Sequence, residues 1–142
     1  MMTAKEVLGQ LARKDARIEG MRERLQRYRE LAEGQRARLY SLPGGGQRRT
    51  SSVEEYVSKI VDLTRDLDAQ IDEYVDLTRA IDAAIAALKD QRFQDLLRWR
   101  YMDGWRWERI SRAMGYEQRQ VYRLHALALS AFARAWGTDD CA

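Results

Sequence analysis

Cysteine, histidine and proline are nearly missing from this chain of 142 residues, which contains one of each. The single cysteine, Cys141, has no second cysteine with which to form an internal disulfide, and with the single histidine, His125, it cannot supply a zinc-type ligand set. The single proline, Pro43, leaves long stretches free of the residue that most strongly interrupts helices. We therefore expect an almost wholly helical protein in a reducing compartment, with no metal and no cofactor.

Long apolar runs are lacking too. The N-terminal residues have no apolar stretch of signal-peptide length, and nowhere do about 18 apolar residues follow one another. We expect a cytoplasmic protein that makes no contact with membranes.

The residue patterns of common catalytic sites are also missing. Three glycines at 44–46 lack the Lys and Ser or Thr that would follow in a phosphate-binding loop. No Ser-His-Asp or Cys-His arrangement can be assembled around His125. A run of aspartates is better explained as the solvated flank of an amphipathic helix than as a set of nuclease carboxylates; its members are Asp62, Asp66, Asp72, Asp76 and Asp82. We do not expect an enzyme.

Charge is present in abundance and is unevenly distributed. Residues 1–50 hold 12 Lys and Arg against 6 Asp and Glu, whereas residues 51–90 hold 4 against 10. Residues 91–142 hold 9 Arg, no Lys and 6 acids, so the chain is basic, then acidic, then basic again.

Two long helices are predicted in the first two charge segments. Apolar residues recur three and four positions apart from Ala4 to about Tyr40, and the same spacing returns from Val53 to Leu88. Between them, residues 41–52 contain Pro43 and three glycines and should form a loop. The second helix should begin near Val53, because two overlapping Ser-x-x-Glu patterns, starting at positions 51 and 52, fit a capping box.

A basic helix and an acidic helix of matched length favour an antiparallel coiled-coil hairpin over residues 1–90. Two single-stripe helices bury little, so we expect this hairpin to be an oligomerisation element, with a dimer favoured. The arginines of the first helix are best explained as a solvated face that pairs with the acidic helix, although they would also suit a nucleic-acid backbone. They are Arg22, Arg24, Arg27, Arg29, Arg36 and Arg38.

A second domain is predicted over residues 91–137. It contains three helices near 91–102, 106–114 and 117–136, with Gly104 and Gly115 as left-handed residues at helix ends. A short helix, a tight glycine turn and a longer helix form a helix-turn-helix. Its inward positions are Leu96, Leu97, Tyr101, Ile110, Met114, Val121, Leu124, Ala128, Leu129 and Phe132. The clustered aromatics fit core packing better than a platform for single-stranded nucleic acid; they are Trp99, Tyr101, Trp105, Trp107 and Tyr116.

The run LLRWRYMDGWRWERISRAMGYEQRQVYRLHALALSAF resembles region 4 of bacterial sigma-70 factors. The matching positions follow one another without gaps and are Arg100, Tyr101, Gly104, Glu108, Ile110, Gly115, Val121, Leu124, Ala128 and Leu129. With a coiled coil before it, the chain looks most like phage and prophage regulators of the ArpU and RinA late-activator type. It departs from the sigma pattern at Arg106 and Glu117, where a hydroxyl residue usually opens the helix.

This resemblance implies a sequence-specific transcription regulator, phage or prophage encoded, that binds double-stranded DNA and that could also contact RNA polymerase. It implies base contacts by Gln118, Arg119 and Arg123 and a backbone contact by Tyr122. Arg and Gln are the side chains that pair bidentately with guanine and adenine edges. Further residues are expected to hold phosphates or flank the groove: Arg106, Arg109, Arg112 and Gln120. Two alternatives remain open, namely a small-terminase-like DNA-packaging protein and a protein-binding adaptor or inhibitor with a helix-turn-helix fold.

Overall fold

The computed structural model describes residues 2–41 and 47–137, apart from the side chains at 39–41 and 47–51. The described residues are helical and contain no strand, which confirms the all-α prediction, and the two long helices pack against each other as a hairpin. The elements are α1 (Ala4–Ser41), α2 (Gln47–Ala86), α3 (Gln91–Leu97), a π-helical turn (Arg98–Met102), α4 (Trp107–Met114) and α5 (Gln118–Trp136). None of the described helices combines the length and the apolar character needed to cross a membrane.

The connection between α1 and α2 differs from the prediction. Residues 47–52 were expected in a loop, but α2 already begins at Gln47, so the capping-box prediction near Val53 is wrong. Gln and Arg have high helix propensity, and Ser and Thr interrupt a helix only weakly, so QRRTSS extends the helix instead of capping it. Pro43 and the three glycines lie outside the described residues.

The described chain forms two compact units. One contains the residues up to Asp15 and those from Tyr74 onward, and the other is Ala16–Glu73. Among the described side chains of the Ala16–Glu73 unit, five apolar ones are buried and form a thin core, namely Ile18, Leu25, Ala32, Leu63 and Leu67. In the same unit, the ring centres of Tyr28 on α1 and Tyr56 on α2 lie 6.5 Å apart.

The other unit has a continuous core that draws on all five helices. Its buried side chains are Ala4, Val7, Leu8, Leu11, Ile81, Ile85, Leu88, Leu96, Leu97, Ile110, Val121, Leu124, Ala128, Phe132 and Ala133. The domain boundary predicted at residue 90 therefore runs through this core. Three short helices alone bury little apolar area, and the start of α1 and the end of α2 complete the core around them.

Polar contacts and a glycine turn fix the segments that follow α2. Asp90 caps α3 by accepting a hydrogen bond from the backbone N–H of Arg92, 2.9 Å away. In the π-helical turn, the guanidinium of Arg98 lies 3.0 Å from the carboxylate of Asp82 on α2. Gly104 has a φ of 70°, which confirms its predicted left-handed conformation and turns the chain toward α4. These contacts position the helix-turn-helix on the end of α2.

Candidate nucleic-acid interface

The turn between α4 and α5 is a tight left-handed cap. Gly115 has a φ of 70°, as its position in the sequence predicted. The backbone N–H groups of Gly115 and Tyr116 both donate to the carbonyl oxygen of Ser111, at 3.0 and 3.2 Å. The Ser111 hydroxyl in turn donates to the carbonyl oxygen of Tyr116. Three hydrogen bonds therefore set the angle at which α5 leaves the turn.

Both helices of the motif begin without a side-chain cap. Arg106 and Glu117 occupy the N-cap positions, and neither side chain accepts a hydrogen bond from the first turn. The two departures from the sigma pattern thus lie at the N-caps, as expected. The backbone N–H groups in the first turn of α5 therefore receive no hydrogen bond acceptor from the N-cap side chain. Such N–H groups at a helix start can bind a phosphate.

The inner faces of the motif pack as predicted. Ile110 of α4 and Val121, Ala128 and Phe132 of α5 are fully buried, and Leu124 is 6% exposed. Three further predicted core residues are half-buried and pack against this cluster: Tyr101, Met114 and Leu129. With these positions inward, the first turns of α5 present their remaining side chains outward.

The residues predicted to contact bases differ in their solvent exposure and in their hydrogen bonds within the chain. Arg119 and Arg123 are exposed and four positions apart, so they lie on one face of α5. Gln118 is half-buried, and its Oε1 lies 3.5 Å from the hydroxyl of Tyr122, a long and weak hydrogen bond. Gln120 is exposed. Of the three residues predicted to contact bases, Arg119 and Arg123 are therefore the more accessible.

Tyr122 belongs to a cluster with His125 and with Tyr101 and Trp107, two of the aromatics that the sequence places in the core; sequence reasoning did not connect Tyr122 and His125 to them. Tyr122 is 48% exposed, and its ring meets the ring of Trp107 edge-on at 5.3 Å. Trp107 also contacts the ring of His125 at 4.8 Å, and the hydroxyl of Tyr101 lies 2.7 Å from Nε2 of His125. The only signal in the sequence was the spacing of Tyr122 and His125, one turn apart on the same helix.

Burial shifts the pKa values of two members of the cluster, His125 and Tyr101. Burial, helped by the nearby positive charges of Lys5 and Arg100, lowers the pKa of His125 to about 4. Burial also raises the pKa of Tyr101 to about 12. Near neutral pH the imidazole and the phenol are therefore both neutral, and they serve to position α5 against the π-helical turn.

The three arginines predicted for the DNA backbone line one surface depression. Arg106, Arg109 and Arg112 surround a hollow of about 470 Å³ beside α4. The guanidinium of Arg109 lies 3.8 Å from the ring centre of Trp105, which stacks on Trp99 at 5.0 Å. Arg109 is thus held in place by a cation–π contact, whereas Arg106 and Arg112 project more freely.

Acidic side chains reduce the positive charge of this surface. Asp103 and Glu108 line the same depression, and Glu117 is exposed at the start of α5. Glu108 and Arg112 are four positions apart, a spacing at which ion pairs form on helices, yet within the described residues no ion pair joins them. Arg112 is therefore available to an external anion.

The exposed arginines of the motif share one property. No ion pair within residues 2–41 and 47–137 neutralises Arg106, Arg112, Arg119 or Arg123. Two other arginines of the same unit are paired, Arg92 with Asp90 at 2.9 Å and Arg98 with Asp82 at 3.0 Å. Residues 106–123 thus carry these four exposed guanidinium groups without an ion pair in the described chain.

The described part of the chain contains no group of three or more His, Cys, Asp or Glu side chains able to hold a metal ion. The four aspartates at 62, 66, 72 and 76 are exposed, as expected for a solvated flank, and Asp82 pairs with Arg98. No protein-family model, curated protein or solved structure matches this chain. The likeness to sigma-70 region 4 consequently rests on the residues quoted above.

Proposed function

We propose that this chain is a sequence-specific regulator of transcription, phage or prophage encoded, which binds double-stranded DNA through the helix-turn-helix and associates with itself through the hairpin. The observation that supports DNA binding most is the set of four exposed arginines on α4 and α5 without an ion pair in the described chain: Arg106, Arg112, Arg119 and Arg123. Unneutralised guanidinium groups on one motif suit a polyanion.

The arrangement divides these groups into two roles. Arg119 and Arg123 extend from the first turns of α5, the part of a recognition helix that meets base edges in the major groove. Each guanidinium can donate two hydrogen bonds to O6 and N7 of a guanine. Arg106 and Arg112 border the depression beside α4, where a phosphate of the flanking backbone would lie. Contact with RNA polymerase rests on the resemblance alone.

Selection of bound fragments from a random double-stranded DNA pool, at about 0.15 M salt, tests the proposal. We expect one enriched sequence. For that sequence, Arg119→Ala and Arg123→Ala should each weaken binding by about 1–3 kcal/mol and relax selectivity at one position. Arg106→Ala and Arg112→Ala should instead weaken binding to all sequences alike and lower the salt slope by about 1 each. Arg109 is unsuitable for this purpose, since its replacement would also disturb Trp105.

Arg134→Ala is the matched control, because Arg134 is exposed in the last turn of the same helix. It removes the same charge at the opposite end of α5 and should leave selectivity unchanged. Equal effects of the Arg134, Arg119 and Arg123 substitutions would reduce the interaction to nonspecific attraction and refute base reading. No enriched sequence would favour the protein-binding adaptor, and a ring of eight or more chains would favour a DNA-packaging protein.

A further inference from the structure

The middle of α2, from residue 57 to residue 75, carries apolar side chains that remain exposed in the hairpin. Val57 is 40% exposed, Val61 is 51% exposed and Val75 is 37% exposed. Between them on the same stripe, Thr64 and Ile71 are half-buried, and Asp68 is exposed. The Ala16–Glu73 unit holds most of this stripe, and five of its described apolar side chains are buried. A hairpin with so thin a core gains stability from any further burial.

The residues of this stripe follow a seven-residue repeat on the side of α2 next to its inner positions. Leu63 and Leu67, which are 9% and 7% exposed, face α1 and define the inner positions. Counted from them, Val57, Thr64 and Ile71 repeat every seven residues along one flank of α2, and Val61, Asp68 and Val75 repeat every seven residues beside it. The exposed valines therefore form a band along the helix and are not scattered singly.

The band is symmetric about residue 66. Val57 and Val75 are each nine positions from that centre, Val61 and Ile71 are each five, and Thr64 and Asp68 are each two. If two α2 helices lie antiparallel with their centres together, valine meets valine, valine meets isoleucine, and each threonine hydroxyl meets a carboxylate. Such self-matching is what an isologous two-fold interface requires.

We infer that this band, defined as Val57, Val61, Thr64, Asp68, Ile71 and Val75, is the contact between two copies of this chain, paired antiparallel through α2. The occupant is a second copy because the band complements itself in spacing and in chemistry. This inference rests on the self-association in the proposed function but is independent of DNA binding. From position 57 to position 75 the band extends about 27 Å at 1.5 Å per residue. A single helix pair of that length forms a small interface, so the dimer should dissociate on dilution.

Sedimentation equilibrium of the full chain without DNA, between about 1 and 100 µM, tests the inference. The wild type should approach the mass of two chains at the upper end. Val61→Lys and Ile71→Glu should each remove the dimer over this range, since each places a charge opposite an apolar side chain. The double variant V61K/I71E should recover it, because in the antiparallel register the introduced lysine faces the introduced glutamate twice. A folding defect would not be repaired by adding a second charge, so recovery is specific to the pairing.

Ala69→Lys is the matched control. Ala69 is exposed on α2 but outside the band, and this variant should keep the wild-type mass. A wild type that stays monomeric, or that exceeds two chains, overturns the inference, as does a Val61→Lys variant with an unchanged mass. If both single variants are helical by circular dichroism and the double variant stays monomeric, the antiparallel register is wrong. Because no DNA is present, these outcomes are separate from success or failure of base reading.

Discussion

Replacement of Leu8 by alanine should destabilise a structure almost the whole chain length away. Leu8 is fully buried in the core that also holds Ile110 and Phe132. Removing three buried carbons from such a site typically costs about 2–5 kcal/mol, the sum of lost transfer free energy and the cavity left behind. With a urea m value of about 2 kcal/mol/M, a loss of about 3 kcal/mol would lower the unfolding midpoint by about 1.5 M.

Tryptophan fluorescence provides a selective assay, because all four tryptophans lie in the unit that contains Leu8, at positions 99, 105, 107 and 136. Leu31→Ala is the matched control: it makes the same change on the same helix, but Leu31 is 42% exposed and lies in the other unit. Its midpoint should move by less than about 0.3 M, in keeping with surface substitutions. A Leu8→Ala midpoint within that range would refute the conclusion that the start of α1 completes the core of the helix-turn-helix.

Two further predictions concern pH and the turn. His125 has an ordinary pKa of 6.5 and a folded-state pKa of about 4, so the unfolded chain binds its proton first and stability should fall as pH drops from about 6.5 to about 4. His125→Gln should lose that part of the pH dependence in urea titrations at several pH values; identical pH profiles for the two proteins would exclude the role assigned to burial. Gly115→Ala should lower the unfolding free energy by about 1–2 kcal/mol, because its φ of 70° strains any residue with a side chain; no atom lies within 4 Å of the added methyl, so crowding adds nothing to this cost. Gly34→Ala, within α1 and equally uncrowded, should instead raise it by about 0.5–1 kcal/mol, and effects of the same sign would contradict the conformational explanation.

Elements with a strong local signal were predictable from the sequence. The helices of the C-terminal region begin within one residue of the expected positions, at Trp107 and Gln118. Apolar spacing determined their inner faces, and Gly104 and Gly115 marked two of the left-handed helix ends, the third described one being Gly137. At these positions helix propensity, apolar periodicity and tertiary packing all favour the same structure, so the local sequence pattern predicts it correctly.

Other features depend on contacts between distant parts of the chain. Ser51 and Ser52 match a capping pattern, but α2 begins before them, because propensity on both sides of a potential cap decides whether it is used. The bond between Tyr101 and His125 joins residues 24 positions apart, and no local pattern announces it. The same holds for the core residues of α1, whose stripe looks alike in both units although only its first part joins the helix-turn-helix.

The candidate site was predictable in composition but not in detail. Sequence reasoning identified the arginines of α4 and α5, whereas the structure distinguishes Arg109, stacked on Trp105, from Arg106 and Arg112. It also places Tyr122 against Trp107, which fixes its ring. Such distinctions arise from side-chain packing and lie beyond residue type and spacing.

The shared core of α1, α2 and α5 also bears on how such a protein could exchange parts during evolution. A domain can be transferred between proteins through a single junction when it has a hydrophobic core of its own. Here a junction near residue 90 would separate Leu96 and Phe132 from Leu8 and Ile85, which belong to the same buried cluster. Under the proposed function, a new DNA specificity would arise more readily through substitutions on the exposed face of α5, where Arg119 and Arg123 lie outside the core.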